Sequence, residues 1–250
     1  MSPFAISVIV FACVFGGALA GILVSSRLPS HHVTSETKDV VRLGMGLVAT
    51  TVALALGLLI ASAKSYYDTQ SAEVTQLAAN VVLLDRVLLH YGPETQEARA
   101  MLRNTVAHVA DFISAPGANR AQFVLGGKSA EGLFDKIQEL SPKNDSQRSL
   151  QAQAQGLAIQ LGQTRWLMFA QQSVSVPMPL LEILVFWLTM LFISFGLFAP
   201  HNGTVVASLF ISALAVSAAI FLILEMYQPY SGLIRISVAP LRAALTQLAQ

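Results

Sequence analysis

Metal-binding residue types are sparse in this 250-residue chain, and their spacing does not favour a site. His31 and His32 are adjacent in a polar stretch, where two side chains seldom converge on one ion. His108 and Asp111 stand three residues apart on a predicted helix. That spacing is compatible with ligation, but it more often gives a surface hydrogen bond or ion pair. The sequence therefore predicts no metal site and no cofactor.

Catalytic groups are equally hard to assemble, because the long apolar segments lack side chains that could activate a nucleophile. They hold no Asp, His, Lys or Arg, and their one acidic residue, Glu182, lies at a segment end. The last segment has three serines but no His to act as a base. Cys13 is the only cysteine, so an intramolecular disulfide is impossible. We therefore expect this chain not to be an enzyme. The three serines are Ser208, Ser212 and Ser217.

Small residues form the clearest chemical pattern, in the second apolar segment. Ala53, Gly57 and Ala61 recur every four residues, and Lys64 ends the segment. Such a stripe lets helix backbones approach closely in lipid, or it leaves room for an ion if the helix lines an oligomeric pore. Lys64 is either an interfacial lysine or one member of a basic ring that attracts anions. Spacing alone does not separate these alternatives. The same spacing recurs at Gly17 and Gly21 and at Ser208 and Ser212.

The composition indicates that these segments lie in a membrane. Apolar residues make up 54% of the chain and charged residues 12%, about half of the usual charged share of a soluble domain. The mean hydropathy is +0.60. The net charge of +1 provides no large field for holding nucleic acid, so that class of partner is excluded.

Four uncharged stretches are long enough to cross a membrane, since about 20 helical residues span ~30 Å of hydrocarbon. They cover residues 4–24, 43–63, 180–198 and 204–224. Four spans place both termini and residues 64–178 on one side. Close to the spans, four basic residues lie on this side and three lie in the 25–42 loop on the other side. They are Lys64, Arg165, Arg235 and Arg242 against Arg27, Lys38 and Arg42. The positive-inside rule therefore favours a cytoplasmic location for residues 64–178 and for both termini.

The polar segment between the second and third spans has helical periodicity. Apolar residues step by three and four up to Tyr91, where Gly92-Pro93 ends one helix and starts another. Further helices are predicted to Ile113, over residues 129–140 and from Ser146. No alternating strand pattern is present, so the fold class is all-α. We expect an antiparallel helical bundle that buries Leu77, Leu84, Leu102, Leu157 and Leu161.

These patterns divide the chain into four parts. Residues 1–63 hold the first two transmembrane helices, and residues 64–178 form the extramembrane helical domain. Residues 179–226 hold the last two transmembrane helices, and residues 227–250 form a C-terminal cytoplasmic segment.

Two short motifs resemble those of a known family. The first motif, Ser65-Tyr66-Tyr67-Asp68, follows the second span. The second motif, from Glu225 to Gly232, follows the fourth span. The chain resembles the bestrophin-like family of bacterial membrane proteins, which has no assigned function and is distantly similar to bestrophin anion channels. Residues 59–99 and 195–245 of this chain look most like members of that family. The second motif contains Glu225, Pro229, Tyr230 and Gly232.

Three departures separate the chain from the bestrophin channels themselves. Thr69-Gln70-Ser71 follow Asp68, where those channels carry Arg and paired Trp. Small residues occupy the positions of their bulky pore neck, although a shift of one residue would place Leu54 and Leu58 there instead. No Asp or Glu occurs in residues 226–250, so calcium gating is not carried over.

The resemblance implies a homo-oligomer, by analogy a pentamer, in a bacterial plasma membrane. Its second span would line an axial pore through Ala53, Gly57, Ala61 and Lys64, and residues 64–178 would build a cytoplasmic vestibule. Its partners would be membrane lipid, other copies of the chain and permeant anions. The alternative is a non-conducting structural or interaction oligomer that uses the same fold.

Overall fold

The computed structural model describes residues 2–27, 35–114, 131–171, 176–200, 202–230 and 232–249. Within these ranges all regular secondary structure is helical, as the sequence predicts. We number eight α-helices in chain order. They are α1 (Pro3–Ser25), α2 (Ser35–Tyr91), α3 (Gln96–Ser114), α4 (131–138), α5 (Asp145–Gln171), α6 (Met178–Phe198), α7 (Gly203–Met226) and α8 (Ala239–Leu248).

Four of the described helices are long and apolar enough to cross a membrane, which confirms the predicted spans. They are α1, α2, α6 and α7, with 23, 57, 21 and 24 residues. At 1.5 Å per residue α2 is about 85 Å long, so less than half of it can lie in hydrocarbon. The predicted second span and the first predicted extramembrane helix are therefore one continuous helix.

The end of α2 follows from the conformation of Gly92. Its φ of 136° lies in the left-handed region, which glycine adopts without steric cost. Pro93 then begins a short 3-10 turn, Pro93–Thr95, and α3 starts only at Gln96. The Thr95 hydroxyl donates to the Leu88 carbonyl oxygen at 2.6 Å and closes the turn. The predicted break is confirmed, with one extra turn before the next helix.

The chain forms two compact units, and the first comprises Met1–Tyr66 and Ser175–Tyr227. In this unit α1 contacts α6 and α7. A Cβ atom at Gly21 would overlap the Ile193 carbonyl oxygen and lie 2.9 Å from the Leu197 nitrogen. A Cβ at Gly196 would overlap the Ala18 carbonyl oxygen in the same way. The small-residue stripe of α1 thus serves close helix packing.

Polar and aromatic contacts join α1 to α7. The Ser217 hydroxyl donates to the Ser7 carbonyl oxygen at 2.7 Å, so this serine has a structural role within the apolar region. Phe210 lies edge-on to Phe11 and Phe15, with ring centroids 5.4 and 5.3 Å apart.

The second unit comprises Tyr67–Val174 and Gln228–Gln250, and its core contains the residues that the periodicity selected. Leu77, Leu84 and Leu102 are buried, while Leu157 and Leu161 are half-buried against the same core. The C-terminal helix α8 joins this core and contacts α3. No helix was predicted from the sequence there. The buried face of α8 consists of Leu241, Ala244 and Leu248.

A partly buried ion pair links α2 to α3 in the second unit. Arg99 donates to both carboxylate oxygens of Asp85, from Nε at 2.7 Å and from Nη2 at 3.0 Å. The hydrogen bonds to Asp85 raise the pKa of Arg99. This fork fixes the rotation of α2 relative to α3.

We expect Leu84→Ala to destabilise the second unit by ~2–5 kcal/mol, because the fully buried side chain would leave a cavity. Leu83 is the matched control, since its side chain is 53% exposed. Denaturant unfolding of the purified protein would show a large loss for Leu84→Ala and a small one for Leu83→Ala. Equal effects would contradict the assigned helix rotation.

Candidate functional site

The transmembrane part of α2 is buried along one side only. Val52, Leu59 and Ala63 are buried, and their spacing of seven and four residues places them on one face. Only 11% of the most apolar stretch of α2 is buried within the chain, against 33% for α1 and α6. Most of the surface of this stretch is therefore not covered by other residues of the same chain.

The small residues of α2 lie on the opposite face. At 100° per residue, Ala53, Gly57, Ala61 and Lys64 fall about 100–180° from Val52 around the helix axis. All four are exposed in the chain. A Cβ at Gly57 would meet no atom within 4 Å, in contrast to Gly21. This stripe, unlike that of α1, makes no close backbone contact within the described residues.

A row of exposed leucines flanks the small residues on α2. Leu54 and Leu58 are 71% and 73% exposed, and Leu43 and Leu47 are exposed to a similar extent. Charged groups are missing between Leu43 and Ala63, so this face fits lipid or an apolar protein surface. Two sets of residues could stand at the position of the bestrophin pore neck, namely the small residues or Leu54 and Leu58. Both sets are exposed in the single chain.

The residues of the first unit that follow the spans form an aromatic contact. The Tyr66 and Tyr227 rings stack with centroids 5.3 Å apart, and the Ser62 and Tyr227 hydroxyls are 3.1 Å apart. Ser65 is exposed, whereas Glu225 is 5% exposed and thus buried just before the end of α7. These contacts join the end of the second span to the end of the fourth.

In the second unit, Tyr67 and Tyr230 attach the post-α7 segment to α2. The Tyr67 hydroxyl donates to the Arg235 carbonyl oxygen at 3.1 Å, and the Tyr230 hydroxyl donates to Gln70 Oε1 at 2.7 Å. Asp68 lies between Tyr67 and Gln70 on α2 and is exposed.

Gln70 continues this contact into a partly buried chain of hydrogen bonds. Its Nε2 donates to Gln171 Oε1, and Gln171 Nε2 donates to Glu73 Oε1 at 3.0 Å. Gln70 is fully buried although its position looked like a departure from the bestrophin motif. Sequence reasoning missed Gln171 and Glu73, because Gln171 lies about 100 residues from its partners and no local pattern marks it.

The segment after Tyr227 is a turn held by backbone bonds. The Gly232 nitrogen donates to the Gln228 carbonyl oxygen at 2.9 Å. The Ile236 nitrogen donates to the carbonyl oxygen of the buried Pro229 at 3.0 Å. Pro229 and Gly232 of the second family motif thus stabilise the turn that contains Tyr230.

The other candidate residues do not converge. His31 and His32 lie outside the described residues, and His108 and Asp111 are both exposed on α3. Among the described residues, no three His, Cys, Asp or Glu side chains are grouped to hold a metal ion. Glu182 is also exposed. Ser208 and Ser212 are exposed on α7.

The family model and the solved structures that resemble this chain agree on its family and fold. A family model described as a Bestrophin-like domain matches residues 12–241. Similar crystal structures include two single-residue variants of a bacterial bestrophin homologue from Klebsiella pneumoniae. One is 12% identical with a TM-score of 0.65 and 97% of each chain covered. The other is 13% identical with a TM-score of 0.64, over 99% of this chain and 97% of that one. No curated protein matches the chain.

Proposed function

We propose, since this chain belongs to the Bestrophin-like family, that it is a homo-oligomeric channel through which anions cross a bacterial plasma membrane. The matched family region covers most of the chain, and the similar solved structures share its fold. By analogy with bestrophins the assembly is a pentamer with an axial pore. We infer a channel rather than an enzyme.

One observation carries this proposal, the exposed small-residue face of α2. Ala53, Gly57 and Ala61 lie opposite the buried face of an apolar helix, and the space beside Gly57 is open. In an oligomer with α2 nearest the axis, these small side chains would leave room for an ion. The leucine row beside them would then pack against lipid or the neighbouring copy.

Lys64 provides the electrostatic part of the proposal. It is exposed one turn beyond Ala61, where the apolar stretch ends. Axial symmetry would repeat its ammonium group around the pore mouth, and a basic ring attracts anions. Of the motif residues, Tyr67, Pro229, Tyr230 and Gly232 hold the segment after α7 in place within the second unit. We propose that Ser65, Asp68 and Glu225 also have structural roles, because they belong to the same family motifs.

The exposed leucines also support a second candidate, a non-conducting oligomer. If Leu54 and Leu58 faced the axis, they would close it with bulky apolar side chains. Such an assembly would be a structural or interaction scaffold. Flux measurements on purified oligomers distinguish the two candidates.

We expect Lys64→Glu to reduce anion conductance several-fold or to shift selectivity toward cations, because it replaces an attractive ring with a repulsive one. Lys64→Arg keeps the charge and should conduct as the unmodified protein does. Currents and reversal potentials across a chloride gradient in planar bilayers measure the conductance and the selectivity. If Lys64→Glu left both the conductance and the selectivity unchanged, Lys64 would not lie at the pore mouth.

The proposed orientation predicts that the polar segment faces the cytoplasm. A cysteine at Ser146, exposed on α5, should react with an impermeant maleimide in inverted vesicles but not in intact cells. A cysteine at Asn202, exposed between α6 and α7, should show the opposite pattern. Both variants require a Cys13→Ser background, since Cys13 is free and exposed. If the cysteine at position 146 reacted in intact cells, the protein would have the opposite topology.

A further inference from the structure

The second unit contains a cavity that its core does not fill. Its volume is about 360 Å³, and it lies among α2, α3, α4 and α5. This volume is within the ~300–1,000 Å³ range of small-molecule sites. The cavity is partly open and its lining is largely apolar, which is the usual form of a small-molecule pocket. The lining includes Leu77, Val81, Leu102, Val106, Leu161 and Met168.

One basic side chain lines this apolar cavity. Arg165 Nη1 is buried, and it has no hydrogen-bond partner among the described residues. The guanidinium lies over the ring of Trp166, which also lines the cavity, at 5.8 Å from the ring centroid. Burial lowers the pKa of Arg165, and the nearby Glu131 carboxylate partly opposes that effect. A buried donor without an acceptor is energetically unfavourable, so an acceptor oxygen in the cavity would stabilise it.

Two acidic residues at the cavity, Glu131 and Asp135, set the charge balance. Both are exposed, so solvent screens their repulsion of an incoming anion. Arg165 is half-buried and is the basic residue of the described lining, so its guanidinium is the group that would attract an anionic head group.

We propose that this cavity binds an amphipathic carboxylate, with its aliphatic chain against the leucine and valine side chains and its carboxylate on Arg165. The inference is separate from the proposed pore, because the cavity belongs to the second unit and its test requires no conduction. Aliphatic contact and a charge-assisted hydrogen bond would contribute independently.

Tryptophan fluorescence gives a direct test with decanoate as the probe. The chain has two tryptophans, so Trp187→Phe leaves Trp166 at the cavity as the only reporter. Saturable quenching of Trp166 in the detergent-solubilised oligomer is the expected result. A cavity already filled by the chain's own residues would give no saturable change, and that outcome would overturn the proposal.

Two glycines of α5 provide a matched test of the location. Gly162 lines the cavity, and a Cβ there would meet no atom within 4 Å, so Gly162→Leu should occupy the space without an initial clash. Gly156 is equally open but does not line the cavity. In the single-tryptophan protein, Gly162→Leu should abolish saturable quenching and Gly156→Leu should preserve it. Equal quenching in both would place decanoate in the micelle and contradict the site.

The head-group contact is tested with Arg165→Gln. We expect decanoate affinity to fall roughly tenfold or more, since a hydrogen bond to a charged group is lost. Affinity for decan-1-ol should change little, which would also show that the variant remains folded. A parallel loss for both ligands, or no loss for either, would refute carboxylate recognition by Arg165.

Discussion

Gly21→Val should prevent the first unit from assembling. The new Cβ would overlap the carbonyl oxygen of Ile193, which belongs to the backbone of α6 and cannot rotate away. Overpacking by side chains costs ~1–3 kcal/mol, and a backbone obstacle should cost more because the two helices must separate. Separation would also break the reciprocal contact of Gly196 with Ala18. We expect little folded protein in detergent extracts of the membrane.

Gly16→Val is the matched control for that experiment. Gly16 is on the same helix, but a Cβ there would meet no atom within 4 Å. Its yield and thermal stability should stay close to those of the unmodified protein. Size-exclusion chromatography and thermal unfolding of both variants measure the difference. A Gly21→Val protein as stable as the control would contradict the packing of α1 on α6.

The contrast between Gly21 and Gly57 shows what sequence could predict. Both belong to small-residue stripes with four-residue spacing, and the spacing identifies each as a special helix face. In the structure one stripe contacts a neighbouring backbone and the other is open. Which neighbour a face meets depends on tertiary packing, so the local pattern could not decide it.

The helices themselves were largely predictable, because apolar periodicity is a local property. The spans, the break at Gly92 and the buried face of Leu77 and Leu84 all follow from it. The bond between Gln70 and Gln171 joins residues about 100 positions apart, and neither side chain is distinctive by itself. The helix α8 is short and carries only a brief apolar pattern, so its packing on α3 was not visible.

Gly57→Phe should abolish anion flux if the small face of α2 lines the pore. The space beside Gly57 is open within the chain, so the phenyl ring needs no rearrangement of the protomer. Repeated by symmetry, the rings would meet at the axis and exclude both water and ions. We expect flux to fall at least ~10-fold while the oligomer remains intact, because an apolar constriction is a strong barrier to a hydrated anion.

Gly44→Phe is the corresponding control on the same helix. Gly44 is exposed, and a Cβ there would also meet no atom within 4 Å. It lies 13 residues before Gly57, which places it about 140° away around the helix. The control therefore adds the same ring outside the proposed pore, and its flux should be retained.

The most direct test of the proposed function is chloride flux into three sets of liposomes, each containing the same amount of one oligomer. The three oligomers are the unmodified protein, Gly44→Phe and Gly57→Phe. The proposed pore predicts flux through the unmodified protein, flux through Gly44→Phe, and almost none through Gly57→Phe. Undiminished flux through Gly57→Phe would contradict the assignment of this face to the pore. No flux through the unmodified, well-formed oligomer at varied pH and voltage would contradict conduction itself and support the scaffold.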